Sequence, residues 1–159
     1  MNYSTAYTYD ALNNLQTVNQ SGQTRTFTYD SLSRLYQAQN PESSVGGTQC
    51  TTTYNYDANG NVISKVAPLE NQNTSCSNTV TTTYTPDVLN RVTDKTYNDG
   101  VTPPAHFAYD ETTVSLGSCS NSSMSYPVGR LTHTTTGSSG AYLTATVQDY
   151  DPMGRVSSY

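Results

Sequence analysis

An aromatic-x-Tyr-Asp frame, or a close variant of it, recurs along the chain and constrains its fold more than any other feature. The segments are Tyr7-Thr8-Tyr9-Asp10, Phe27-Thr28-Tyr29-Asp30, Tyr54-Asn55-Tyr56-Asp57, Tyr84-Thr85-Pro86-Asp87, Phe107-Ala108-Tyr109-Asp110 and Gln148-Asp149-Tyr150-Asp151. Self-similarity of this kind marks one supersecondary unit stacked on copies of itself. A structural or binding role is therefore the default, and an enzyme needs independent support.

The frame continues past the aspartate. Three residues on stands Asn13, Ser33, Gly60, Asn90 or Gly154, and five residues on stands Leu15, Leu35, Val62, Val92 or Val156. Asn and Gly tolerate a left-handed backbone at low cost, whereas Ser33 is the poor fit. An Asp opening such a turn can accept a hydrogen bond from the backbone two residues on. Aromatics three and one residues before the Asp share a strand face. Each unit reads as a β-hairpin turned on Asp-x-x-Gly/Asn. Asp30/Arg34, Asp87/Arg91 and Asp151/Arg155 read as turn-stabilising ion pairs, each contributing at most about 1 kcal/mol when exposed.

Two copies depart from the pattern. Pro86 replaces the tyrosine of the fourth and removes an N–H from the ladder. In the fifth, Asp110 and Gly129-Arg130-Leu131 are separated by an insertion of 16 residues. The stretch that holds it, 111–128, should form a long loop or extra hairpin at the turn end of the sheet. Connections on the opposite edge vary in length and are polar, as at Asn19–Gly22 and Pro41–Gly47; plain connectors are the favoured reading over binding loops.

The pattern Tyr-x-Tyr-Asp-x-x-Gly-Arg-Leu/Val resembles the YD repeats of RHS proteins, wall-associated proteins, toxin-complex shells and teneurins. Tyr54-Asn55-Tyr56-Asp57-Ala58-Asn59-Gly60-Asn61-Val62 and Tyr150-Asp151-Pro152-Met153-Gly154-Arg155-Val156 carry the resemblance most fully. It implies an all-β fold of tandem β-hairpin repeats forming a curled antiparallel sheet, which in full-length relatives spirals into a hollow shell around cargo. On this reading 1–159 is a single repeat array, with units centred on Asp10, Asp30, Asp57, Asp87, Asp110 and Asp151. Its structural positions are Tyr9, Tyr29, Tyr56, Gly60, Tyr109, Tyr150 and Gly154 together with those aspartates. Shell relatives also carry a self-cleaving aspartyl boundary near a carboxy-terminal toxin; Asp151-Pro152-Met153-Gly154 reads instead as the turn of the last repeat.

Composition suits the hairpin reading. The chain has 159 residues, 14 Tyr, no Trp and a mean hydropathy of −0.62, and its Thr runs and tyrosines favour strands. Buried tyrosine and valine on one face and solvated Thr and Asn on the other are the expected packing. No apolar run is long enough to span a membrane as a helix, and the first residues lack a signal-peptide pattern, as in a segment starting inside an array. A net charge of −5 with few, scattered basic residues argues against nucleic acid.

Cys50 and Cys76 both fall in variable connections, on one side of the sheet. If a disulfide exists, they are the geometric favourites; otherwise all three cysteines are thiols, and Cys119 is left over in either case. His106 and His133 read as strand residues with no nucleophile placed beside them. No catalytic, cofactor or metal motif emerges. The expectation is a non-catalytic shell or bacterial cell-surface scaffold, extracellular, which encloses or displays cargo. Its partners are neighbouring repeats of a longer chain or copies of itself. The alternative is a self-assembling fibre subunit or a carbohydrate-binding adhesive module.

Overall fold

The computed structural model describes residues 4–69, 75–116, 122–138 and 141–158. Cys119 lies outside them. The fold is all-β. Eleven strands form an antiparallel sheet, nearly all in chain order, and two further two-stranded sheets accompany it. By contact density the chain divides into two compact units, Met1–Thr82 and Thr83–Tyr159.

The first unit is a meander of β1 (Thr5–Tyr9), β2 (Leu15–Gln20), β3 (Gln23–Tyr29), β4 (Leu35–Val45), β5 (Thr48–Tyr56) and β6 (Val62–Pro68), and it contains the start of β7 (Thr79–Pro86). Its hairpins alternate between two turn types. At one end lie the aspartate turns. At the other, Ser21-Gly22 and Gly46-Gly47 each hold two successive positive φ values, 54° and 88°, then 57° and 85°. That geometry matches the twist of the flanking strands and permits a two-residue hairpin. The polar stretches 19–22 and 41–47 are therefore mostly strand closed by a tight turn, rather than loops. Cys50 and Cys76 are joined by a disulfide, with their Cα atoms 5.1 Å apart.

The second unit continues from β7 through β8 (Val92–Tyr97), β9 (Ala105–Tyr109), β12 (Leu131–Ser138) and β13 (Ala141–Val147). Its additional hairpins are β10 (Thr113–Val114) with β11 (Ser122–Ser123), which belong to the insertion, and β14 (Asp149–Tyr150) with β15 (Val156–Ser158), which flank the last aspartate turn. In β12 the register shifts between Thr136 and Gly137. Gly137 has φ +97°, and a Cβ there would stand 2.8 Å from the Ala141 carbonyl oxygen and 3.0 Å from the Leu143 nitrogen. Both neighbours are backbone, so neither can turn aside. Gly137→Ala is expected to destabilise the second unit by about 2 kcal/mol, measured as a loss in a urea melt; an unchanged midpoint would mean that the β12–β13 pairing tolerates the shift.

The expected aromatic face is present but only half-buried: Phe27, Tyr29, Tyr54, Tyr56 and Tyr84 are half-buried and the intervening Thr28, Asn55 and Thr85 are exposed, while the deepest burial lies elsewhere. Among the described residues the largest fully buried side chains are Thr132 and Cys50; Thr135 is 3% exposed, whereas Tyr7 and Tyr9 remain 56% and 55% exposed. A single sheet layer buries a residue only where something folds over it. In the second unit that cover is the insertion, whose Val114 and Leu116 are buried. Thr132 tolerates burial because its hydroxyl hydrogen-bonds the Ala108 carbonyl and Glu111 Oε2, at 3.1 and 2.6 Å.

Candidate functional site

Each aspartate turn is built by the same hydrogen bonds. In the first, the Asp10 N–H donates to the Asn14 carbonyl, and the Asn13 N–H donates to the Asp10 carbonyl. Asp10 Oδ1 accepts from the N–H groups of Leu12 and Asn14, at 2.9 and 2.8 Å. Asp30, Asp57, Asp87 and Asp151 repeat both the backbone pair and the two side-chain contacts. The residue three beyond the Asp takes positive φ in every case: Asn13, Ser33, Gly60, Asn90 and Gly154. Ser33 adopts φ 58° despite its poor intrinsic fit, because the surrounding turn bonds fix the backbone. In the interrupted copy, Arg130 supplies the closing carbonyl to the Asp110 N–H, and Gly129 N–H donates to Asp110 Oδ1. The insertion thus leaves the turn closed from a distant segment.

The register places each tyrosine opposite the apolar residue that closes its own turn: Tyr9 with Leu15, Tyr29 with Leu35, Tyr56 with Val62, Tyr109 with Leu131, and Tyr150 with Val156. A bulge precedes the tyrosine in the hairpins of Tyr9, Tyr29, Tyr56 and Tyr150.

A second constellation links one repeat to the next. The Arg34 guanidinium lies 4.5 Å from the centre of the Tyr56 ring, and the Tyr56 hydroxyl donates to the Leu35 carbonyl at 2.7 Å. Arg91 lies 4.3 Å from the Tyr109 ring, whose hydroxyl donates to the Val92 carbonyl at 3.0 Å. Arg130 lies 5.1 Å from the Tyr150 ring, whose hydroxyl donates to the Leu131 carbonyl at 2.8 Å. In each case the arginine of one turn covers the tyrosine of the next repeat, and the residue after that arginine accepts the hydroxyl proton. Arg34 and Arg91 also hold the aspartates of their own turns, at 2.7 and 2.8 Å, and Arg91 reaches Asp110 at 2.7 Å. Pairing within the turn was legible from the i,i+4 spacing; clamping between repeats was not. The available signal was that an arginine four residues past one aspartate precedes a repeat carrying the tyrosine. Where Asn14 replaces arginine, its Nδ2 donates instead to Ser33 Oγ at 3.2 Å.

These contacts set the charge state. The carboxyls of Asp10 and Asp57 are held below the ordinary range first by the side-chain amides of Asn14 and Asn61. Those of Asp30, Asp87 and Asp151 are lowered first by the backbone N–H of Arg34, Arg91 and Arg155, and that of Asp110 first by the Arg91 side chain. A depressed folded value contributes stability that is present above the unfolded value, about 3.9 for Asp. It is lost as pH falls through the folded values. Urea midpoints are expected to hold down to about pH 4 and to fall steeply below it. A midpoint unchanged at about pH 3 would deny the turns this role.

Sequence reasoning also missed a cleft in the second unit. It has a volume of about 450 Å3 and is lined by Asp94, His106, His133, Thr135, Ser115 and Tyr142, among others. His106 Nδ1 is 2.9 Å from Asp94 Oδ1, His133 Nδ1 is 2.6 Å from Glu111 Oε2, and the two rings are 5.9 Å apart. Among the described residues no cluster of three or more His, Cys, Asp or Glu side chains is arranged to hold a metal ion.

The RHS repeat family model matches residues 9–45. That stretch contains the first two aspartate turns. Residues 9–45 are therefore similar to an RHS repeat. The later turns at Asp57, Asp87 and Asp151 share the hydrogen bonds of the two turns within that stretch, so the chain contains repeats of one turn unit. No curated protein matches it. Among solved structures, a chain of a TcdB2–TccC3–Cdc42 crystal structure aligns over 97% of this chain at 16% identity, with a TM-score of 0.36. This chain spans 10% of that one. No helix among the described residues is long and apolar enough to cross a membrane.

Proposed function

We propose that this chain is a non-catalytic segment of an RHS/YD-repeat shell or cell-surface scaffold, working outside the cell to enclose or display cargo. The observation that carries this reading is the recurrent clamp of arginine over the next repeat's tyrosine. It uses the distinctive side chains of the motif to hold one repeat to the next. A repeat array works in this way: each unit is stabilised by its neighbours rather than by a core of its own. The Cys50–Cys76 disulfide supports an oxidising location. The partners on this reading are adjoining repeats of a longer chain.

One observation favours the second reading, a self-assembling subunit. The edge strand β1 is exposed along its length, β13 is exposed at six of seven positions, and neither contains a charged residue. Uncharged edges pair readily with other strands. Exposed Tyr7 and Tyr9 rings suit a sugar face in the adhesive variant of that reading; glycan binding lost in Tyr7→Ala and Tyr9→Ala would favour it.

Electron microscopy of the purified chain across a concentration series separates the two readings. Discrete small particles at every concentration are expected of the scaffold segment. Filaments growing with concentration would overturn it in favour of the self-assembling subunit.

A further inference from the structure

We propose that His106 and His133 form a two-histidine site for a borderline transition-metal dication of the zinc, nickel or copper(II) type. Strand register brings the rings together. Asp94 pairs with His106 across β8 and β9, while across β9 and β12 His106 pairs with Thr135 and Ala108 with His133. Directly paired residues, and residues two apart along a strand, share a face. Asp94, His106, Thr135 and His133 therefore project from the same side of the sheet into the same cleft.

The chemistry of the pair is that of metal-binding imidazoles. A carboxylate on Nδ1 keeps the proton there and leaves the Nε2 lone pair available, which is the outer-shell arrangement of ligating histidines. Both rings have it, from Asp94 and from Glu111. No hydrogen bond among the described residues engages either Nε2. The two carboxylates make the surroundings negative, and neither lysine nor arginine lines the cleft. With ring centroids 5.9 Å apart and tilted by 50°, the two imidazoles are close enough to reach a single ion. Water completes the coordination, since the protein offers two ligands rather than three. Imidazole suits zinc, nickel and copper, whereas calcium and magnesium require oxygen.

The bland reading is that each carboxylate merely satisfies its imidazole: His133 is 8% exposed, and Glu111 anchors the insertion to β12. That reading accounts for one ring. It does not account for a second carboxylate-backed ring, open to the cleft and on the same face.

The test is calorimetric titration of tag-free protein, freed of metal by chelator, with zinc. It is paired with NMR of 15N-labelled histidine, which is readable because the chain has only two. One equivalent should bind, with shifts at the Nε2 of both rings, and magnesium should give none. His106→Gln should abolish the saturable heat, with its fold checked by circular dichroism. Asp94→Asn, which keeps both ligands, should weaken binding about tenfold. Absence of binding at millimolar zinc, undiminished binding in His106→Gln, or binding lost on blocking the Cys119 thiol instead would each overturn the proposal.

Discussion

Reduction of the Cys50–Cys76 disulfide is expected to lower the unfolding free energy of the first unit by about 3 to 4 kcal/mol, from the loop entropy returned to the unfolded chain. The two cysteines are 26 residues apart in sequence. That loop holds the aspartate turn of Asp57 and the β5–β6 pairing, so its closure restrains a whole repeat. Cys50 is 1% exposed, and a buried thiol packs as a small apolar group. The loss should therefore come from the unfolded state rather than from a damaged interior. Urea melts with and without a phosphine reductant, repeated on Cys76→Ser, measure it. Equal midpoints in all of them would show that the bond adds nothing to the stability of the repeat it closes.

Truncation of Tyr56 should cost nearly as much. Tyr56→Ala is expected to destabilise the first unit by about 3 kcal/mol, the lower end for removal of an aromatic ring, since the ring is only half buried. Three contributions disappear together. The ring stands opposite its strand pair Val62, its face receives the Arg34 guanidinium, and its hydroxyl satisfies the Leu35 carbonyl. Burial pushes the hydroxyl's pKa up, Arg34 opposing it in part. Tyr56→Phe isolates the hydroxyl, at about 1 kcal/mol. Asn59→Ala, on the exposed side of the same turn, should cost less than about 1 kcal/mol. Similar small effects for Tyr56→Ala and Asn59→Ala in denaturant melts would sink the hairpin packing described for this repeat.

What the sequence disclosed was local. The aspartate turn is legible because its cause lies within five residues: an Asp that caps the backbone, a residue that accepts positive φ, and an apolar residue that pairs back onto the tyrosine. The all-β antiparallel sheet follows from repeating that hairpin. The alternation of half-buried aromatics with exposed Thr and Asn was legible in β3, β5 and β7, but the deepest burial was not, for a physical reason. Residue type alone assigns Tyr and Val to an interior and Thr to solvent, but in a one-layer sheet burial is decided by what folds over a position. Thr132 and Thr135 are buried because a distant insertion covers β12, whereas among the described residues no arginine lies over the Tyr9 ring. The clamp was invisible for a related reason. The i,i+4 pairing of Arg34 with Asp30 is a short-range pattern, while its contact with Tyr56 depends on how far the intervening hairpin carries the chain. The histidine cleft needs register across β8, β9 and β12 at once, which 26 residues of intervening sequence between His106 and His133 conceal.

The direct test of the clamp is a double-mutant cycle on Arg34 and Tyr56, using Arg34→Met and Tyr56→Leu to preserve bulk. A coupling free energy of about 1 kcal/mol is predicted, from the cation over the ring and the carbonyl bond it shelters. The same cycle on Arg91 and Tyr109 should give a similar value. Strict additivity at both pairs would contradict the account, leaving the arginines as turn partners and the repeats held to one another by the strand ladder alone.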